Sequence, residues 1–152
     1  MRDIETREDL EFLILEFYKK VRADELLGVF FNSTFTTEEA WNHHYPILID
    51  FWEQNLFDKQ IFQGNPTMAH HGVDKRFSFA IGKEHFDRWV ELWIENIDTH
   101  FSGVKVELSK TKLSRLRVGM YEKVLKTRAQ LGKQDLPSYS ILGATNKDRK
   151  IK

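Results

Sequence analysis

Apolar side chains recur at intervals of three and four residues along four long stretches of the chain, and this spacing restricts the fold more than any other feature. Positions with this spacing share one face of an α-helix, whereas a half-buried strand needs apolar and polar residues to alternate. No stretch of strand length alternates cleanly. The sequence therefore predicts an all-α domain with long helices near residues 6–21, 38–57, 83–101 and 106–130.

Local signals mark where helices begin. Thr6 and Asp9 resemble a capping box, in which the two side chains bind each other's backbone N–H groups. Thr36 with Glu39 is also typical of a helix start. We therefore expect the first helix to begin near Thr6 and the second near residue 38.

Other signals mark turns and breaks. Residues 26–32 have the character of a turn. Pro46 removes a backbone donor early in the second helix and should bend or loosen that turn. Gly103 is expected to end the third helix.

The region between the second and third helices loses the helical period. Within 58–82, Gly64-Asn65-Pro66 is a strong turn signal, and His70 and His71 follow shortly after it. Long irregular segments inside a compact domain are uncommon and often functional. This stretch is therefore a candidate site region.

Composition excludes several classes of protein. The formal net charge is +0, which argues against binding to nucleic acid or to an anionic membrane. The chain has no cysteine, so thiolate metal sites and cysteine nucleophiles are excluded. Its charged first residues and short apolar runs lack the pattern of a signal peptide or a membrane span, and a cytoplasmic location is expected.

The length predicts one domain. A chain of 152 residues suits a single core, and we expect the helical domain to cover 1–132. Residues 133–152 form a polar tail that we expect to be partly disordered.

Polar groups within the aromatic stripes point to a buried site. Tyr18, His44 and Trp89 each carry a hydrogen-bonding tip beside apolar neighbours, on three different predicted helices. Aromatic stripes are usually core, but three such tips could converge on one buried ligand. No His-Glu-x-x-His pattern is present, so a zinc or di-iron site is poorly supported.

Four segments, in order, resemble a truncated haemoglobin of the third group. They are FYKKVR at 17–22 with Asp24 and LGVFFN at 27–32, WNHH at 41–44 continuing to Phe51-Trp52, GNP at 64–66 with Met68 and His70, and EHFDRWVELW at 84–93. The resemblance implies a two-over-two helical sandwich, a truncated globin domain over 1–132, and haem b held between the helices. The irregular 58–82 stretch would stand in place of a full helix on the proximal side of the haem.

The resemblance also implies which residue holds the iron. The family's proximal histidine follows the proline of the Gly-x-Pro turn by four residues, which selects His70 as the metal ligand. Thr67 stands where the family more often has methionine. Counting from Met68 would instead select His71.

On the distal side, the resemblance assigns five further positions. Tyr18 and Trp89 match the distal hydrogen-bond donors, and His44 matches the gate position. Leu48 should form part of the apolar wall of the haem site, and Phe31 should pack against the porphyrin.

These residues imply reversible binding of dioxygen, nitric oxide or another diatomic gas. An alternative is a haem enzyme that consumes nitric oxide or peroxide. Since no Gly-x-Gly-x-x-Gly run is present, such an enzyme would need a separate reductase as partner. A third possibility is a helical interaction module without haem.

Overall fold

The computed structural model describes residues 1–57 and 81–131, and within these ranges every regular element is a helix. The helices are α1 (Arg7–Ala23), α2 (Gly28–Thr34), α3 (Glu38–Phe57), α4 (Lys83–His100) and α5 (Val104–Leu131). The predicted all-α class is confirmed. Residues 58–80, with His70 and His71, and the tail from 132 lie outside the described residues.

The start of α1 confirms the predicted capping box. The Thr6 hydroxyl accepts a hydrogen bond from the Asp9 backbone N–H at 3.2 Å, and the Asp9 carboxylate accepts from the Thr6 N–H at 3.1 Å. Arg2 also binds this carboxylate, at 2.6 Å. This hydrogen bond from Arg2 holds the pKa of Asp9 well below its ordinary value.

The segment expected to be a turn contains the short helix α2. Asp24, just after α1, accepts hydrogen bonds from the backbone N–H groups of Leu26 and Leu27 through its Oδ2 atom, at 3.2 and 3.1 Å. A side chain at Gly28 would place its Cβ 2.8 Å from the carbonyl oxygen of Arg22, so only glycine allows α2 to lie this close to α1. A seven-residue helix is too short for its periodicity to be recognised in the sequence.

Helix α3 has the predicted bounds and continues through Pro46. Its first turn is capped by Thr37 rather than Thr36, since the Thr37 hydroxyl accepts from the Ala40 N–H at 3.0 Å. Pro46 lies on the exposed side of the helix.

The helices pack as two crossed pairs, which is the predicted two-over-two arrangement. α1 packs against α3 and α4, and α4 packs against α5, whereas α3 and α5 meet over a smaller area. At the centre, the Trp52 and Trp93 rings stack with centroids 4.7 Å apart, and Phe17 meets Trp93 edge-on. None of the described helices is long and apolar enough to cross a membrane.

The chain between α4 and α5 turns at Gly103, which has a φ of 148°. The carboxylate of Asp3 accepts hydrogen bonds from the backbone N–H groups of Lys105 and Val106 at the start of α5. The N-terminal residues therefore hold the start of the last helix as well as that of the first.

Candidate functional site

Tyr18 lies in the core, 3% exposed, on the face of α1 that meets the other helices. Its ring centroid lies 5.7 Å from that of Phe31, 5.7 Å from that of Trp41 and 6.4 Å from that of Tyr45. The phenol is thus enclosed by rings from α2 and α3. A hydroxyl in such surroundings needs a polar partner.

The partner comes from α4. Burial raises the pKa of Tyr18 above its ordinary value, while a hydrogen bond with the Trp89 side chain opposes that rise. An indole nitrogen is only a donor, so Trp89 can act toward the phenol oxygen only as a donor. Two of the predicted distal residues, 71 positions apart in the chain, are therefore brought together.

His44 lies half-buried on α3, at the edge of the same aromatic cluster. Its ring stacks on that of Phe35 with centroids 4.3 Å apart, and meets the Trp41 ring at 6.2 Å. Leu48, one turn further along α3, is also half-buried and packs against the main core. His44 therefore borders the aromatic cluster around Tyr18, and Leu48 follows it one turn along the same helix.

Phe31 and Trp89 lie where two apolar clusters meet. Both are half-buried and pack against the main core and against a smaller cluster. The members of that smaller cluster are Phe30, Ile81, Phe86, Met120 and Val124.

Trp41 has a more central place than the sequence indicated. It is fully buried, as is usual for a residue of an aromatic stripe, and its ring contacts those of Tyr18, Phe31 and His44. The guanidinium of Arg22 lies 4.7 Å from its ring centroid. Its Nε1 atom is buried and has no hydrogen-bond partner in the described part of the chain. Its position three residues before His44 was the signal that could have placed it beside the site.

An ion pair joins the elements that carry Tyr18 and Trp89. Arg88, the residue before Trp89, donates through Nε to the Asp24 carboxylate at 2.8 Å. The Asp24 side chain is only 9% exposed, and its other oxygen accepts from backbone N–H groups in the turn that leads into α2. This contact holds α4 against the corner between α1 and α2.

The candidate iron ligands are not among the residues that the structure describes. His70 and its alternative His71 fall in the 58–80 range, outside the described structure. Within 1–57 and 81–131, no group of three or more His, Cys, Asp or Glu side chains gathers in a way that could hold a metal ion.

Comparison with known proteins finds relatives of one kind. The chain is 29% identical over 93 residues to a group 3 truncated hemoglobin, ctb, of Campylobacter jejuni, a match that covers 60% of this chain and 69% of the relative. Its fold matches the crystal structure of a group III truncated hemoglobin from Campylobacter jejuni, with a TM-score of 0.72 at 22% identity over 82% of this chain and 95% of that one. No family model matches the chain.

Proposed function

The chain resembles the group III truncated haemoglobins in sequence and in fold, and from this premise we propose that it binds haem b and, with it, dioxygen, nitric oxide or another diatomic gas. The observation that carries the proposal is the approach of the half-buried Trp89 on α4 to the buried phenol of Tyr18 on α1. A phenol and an indole that approach each other inside an aromatic core bring two polar groups together in apolar surroundings, and we propose that they border a small polar pocket. Such a pocket suits a small, weakly polar ligand.

The residues around this pocket fit a flat apolar cofactor. Phe31 and Leu48 offer apolar surface, and His44 lies at the border, where it can reach either the pocket or solvent. We propose that His70 holds the iron, with His71 as the alternative. When bound, haem would supply an iron atom with one open position for a diatomic gas.

The pairing of Tyr18 with Trp89 orders the hydrogen bonds in the pocket. Because burial raises the pKa of Tyr18, the phenol keeps its proton at physiological pH. We propose that the Trp89 N–H donates to the phenol oxygen, which would leave the O–H to donate to a gas ligand. One such hydrogen bond is worth about 1–3 kcal/mol, which corresponds to a roughly 5- to 150-fold slower release.

The first test is spectroscopic. The purified chain, supplied with haem, should show the absorption of a histidine-ligated haem and form a stable ferrous complex with dioxygen. Tyr18→Phe should speed the release of dioxygen, whereas Tyr45→Phe, which removes a neighbouring hydroxyl, should leave it unchanged. An equal release rate in Tyr18→Phe would refute the role assigned to the phenol.

The iron ligand is tested by a matched pair. His70→Ala should lose the five-coordinate ferrous spectrum, and His71→Ala should keep it. The reverse result would assign the ligand to His71. If both variants keep it, the proposed ligation is wrong.

Gas binding and turnover are distinguished by a third measurement. Sustained consumption of nitric oxide in the presence of a reductase, well above the rate of spontaneous oxidation, would indicate an enzyme instead of a gas-binding protein.

A further inference from the structure

A groove with a volume of about 420 Å³ lies between the second half of α3 and the middle of α5. None of the described residues assigned to the haem and gas site lines it. Its volume falls within the range of about 300–1,000 Å³ that is typical of small-molecule sites. The groove is therefore large enough for a ligand of its own.

The floor of this groove is apolar. Trp52 and Met120 form its buried part, and Phe51 and Leu116 are half-buried at its sides. At Gly119 an added Cβ would meet nothing within 4 Å, so the groove is open down to the α5 backbone there. A hydrocarbon chain laid on this floor would be removed from water.

The α5 side of the groove carries three cations. Lys112, Arg115 and Lys123 line it, and their spacing places them on the helix face that also bears Leu116 and Met120. Among the described residues that line it, none is acidic. Within the described ranges, no ion pair holds any of these three side chains.

Other cations of α5 do have acidic partners. Lys110 binds Asp98 at 2.7 Å, and Arg117 binds Asp87 at 3.2 Å. The groove cations thus differ from these neighbours on the same helix in having no ion-pair partner among the described residues.

The acidic side chains of α3 are engaged elsewhere. Asp50 and Glu53 both bind Arg7 of α1, at 2.8 and 2.6 Å. They therefore face α1, and the side of α3 that faces the groove is neutral. The groove has positive charge beside an apolar floor, and the residues of 1–57 and 81–131 supply no counterion to it.

We propose that this groove binds an amphiphilic carboxylate with a linear hydrocarbon chain. The chain would lie on the floor formed by Phe51, Trp52 and Met120, and the carboxylate would meet Lys112 and Arg115. A neutral hydrocarbon would contact only the apolar floor, and a small inorganic anion would bind only to the cations. A free carboxylate with an alkyl chain satisfies both. This site would act independently of gas binding.

The test is calorimetric titration of the haem-loaded full chain with decanoate, and in parallel with decanol. Decanoate should bind saturably at one site. Substitution of both Lys112→Gln and Arg115→Gln should weaken its binding about tenfold, because two partly exposed ion pairs are lost, and should leave that of decanol unchanged. Lys126→Gln, on the same helix but outside the groove, is the matched control.

A second variant tests the floor. Gly119→Leu should fill the groove and abolish decanoate binding, while the haem spectrum stays as in the parent chain and the thermal midpoint does not fall, because leucine favours the helix more than glycine. If this variant folds poorly, the surface double variant still decides the matter. Failure of decanoate to bind, equal binding by the double variant, or displacement of haem by decanoate would overturn the proposal. An intact haem spectrum without decanoate binding would refute the groove alone and leave the gas site untouched.

Discussion

Arg88 donates through its Nε atom to the carboxylate of Asp24 at 2.8 Å, and this contact links α4 to the corner between α1 and α2. Each partner of this ion pair lies next to a residue or helix of the proposed site. Arg88 precedes Trp89, and Asp24 holds the turn that leads into the helix that carries Phe31. The ion pair therefore fixes the position of Trp89 on α4 relative to Phe31 on α2.

We expect Asp24→Ala to destabilise the protein more than Asp24→Asn. Alanine removes both the ion pair and the hydrogen bonds to the turn before α2, whereas asparagine keeps an oxygen that can accept from that turn. The cost of Asp24→Ala should be about 2–3 kcal/mol, because a hydrogen-bonded and mostly buried charge is lost. Urea denaturation measures it, with the exposed Glu25→Gln as control. Equal midpoints for Asp24→Ala and the parent would contradict the structural role of the pair.

Asp9 should make stability depend on acid pH. The pKa of Asp9 is lowered in the folded state, first by the hydrogen bond from Arg2. Its contribution is therefore complete above the unfolded-state pKa of about 4 and is lost as the pH falls below that value. Asp9→Asn should cost about 1 kcal/mol at neutral pH and flatten the loss of stability below about pH 4.

Urea unfolding of Asp9→Asn and of the parent chain at several pH values checks the effect of Asp9. Glu8→Gln, in the same first turn, is the control. A parallel pH profile for Asp9→Asn and the parent would show that Asp9 is not the group responsible.

Tyr18 and Trp89 should act on a gas ligand as a unit. If Trp89 works by holding the phenol oxygen, then Trp89→Phe should speed dioxygen release, and the double variant should release no faster than Tyr18→Phe alone. Stopped-flow release rates for the four proteins of this cycle test the coupling. Fully additive effects would mean that Trp89 contacts the ligand directly and does not act through Tyr18.

Ser109 should stabilise the core through Trp93. The buried Trp93 indole donates to the Ser109 hydroxyl at 3.0 Å, and that hydroxyl donates to the Val106 carbonyl at 2.8 Å. Ser109→Ala leaves the indole N–H without this partner and should cost about 1–3 kcal/mol. Thermal unfolding gives the measurement, and Ser114→Ala on the same helix is the control. A change below the error of that control would mean that the indole finds another acceptor.

Several local features were predictable because their causes are local. The capping box of Thr6 and Asp9 is a contact across three residues, and the bounds of α3 follow from its periodic apolar face. The sequence did not predict α2, because the start of this helix depends on the Asp24 carboxylate and on the close approach at Gly28. Neither feature produces a periodic pattern of apolar residues.

The sequence by itself determined the class of fold and the residues that could form a polar pocket, because helical periodicity and residue chemistry are both properties of short segments. Only the tertiary structure decided that Trp89 meets Tyr18, that Arg88 meets Asp24, and that Trp41 lies among the pocket rings. It also decided which cations of α5 find acidic partners and which line an apolar groove. The physical reason is that such contacts depend on how helices cross. Crossing is set by packing over the whole core and not by any one stretch of chain.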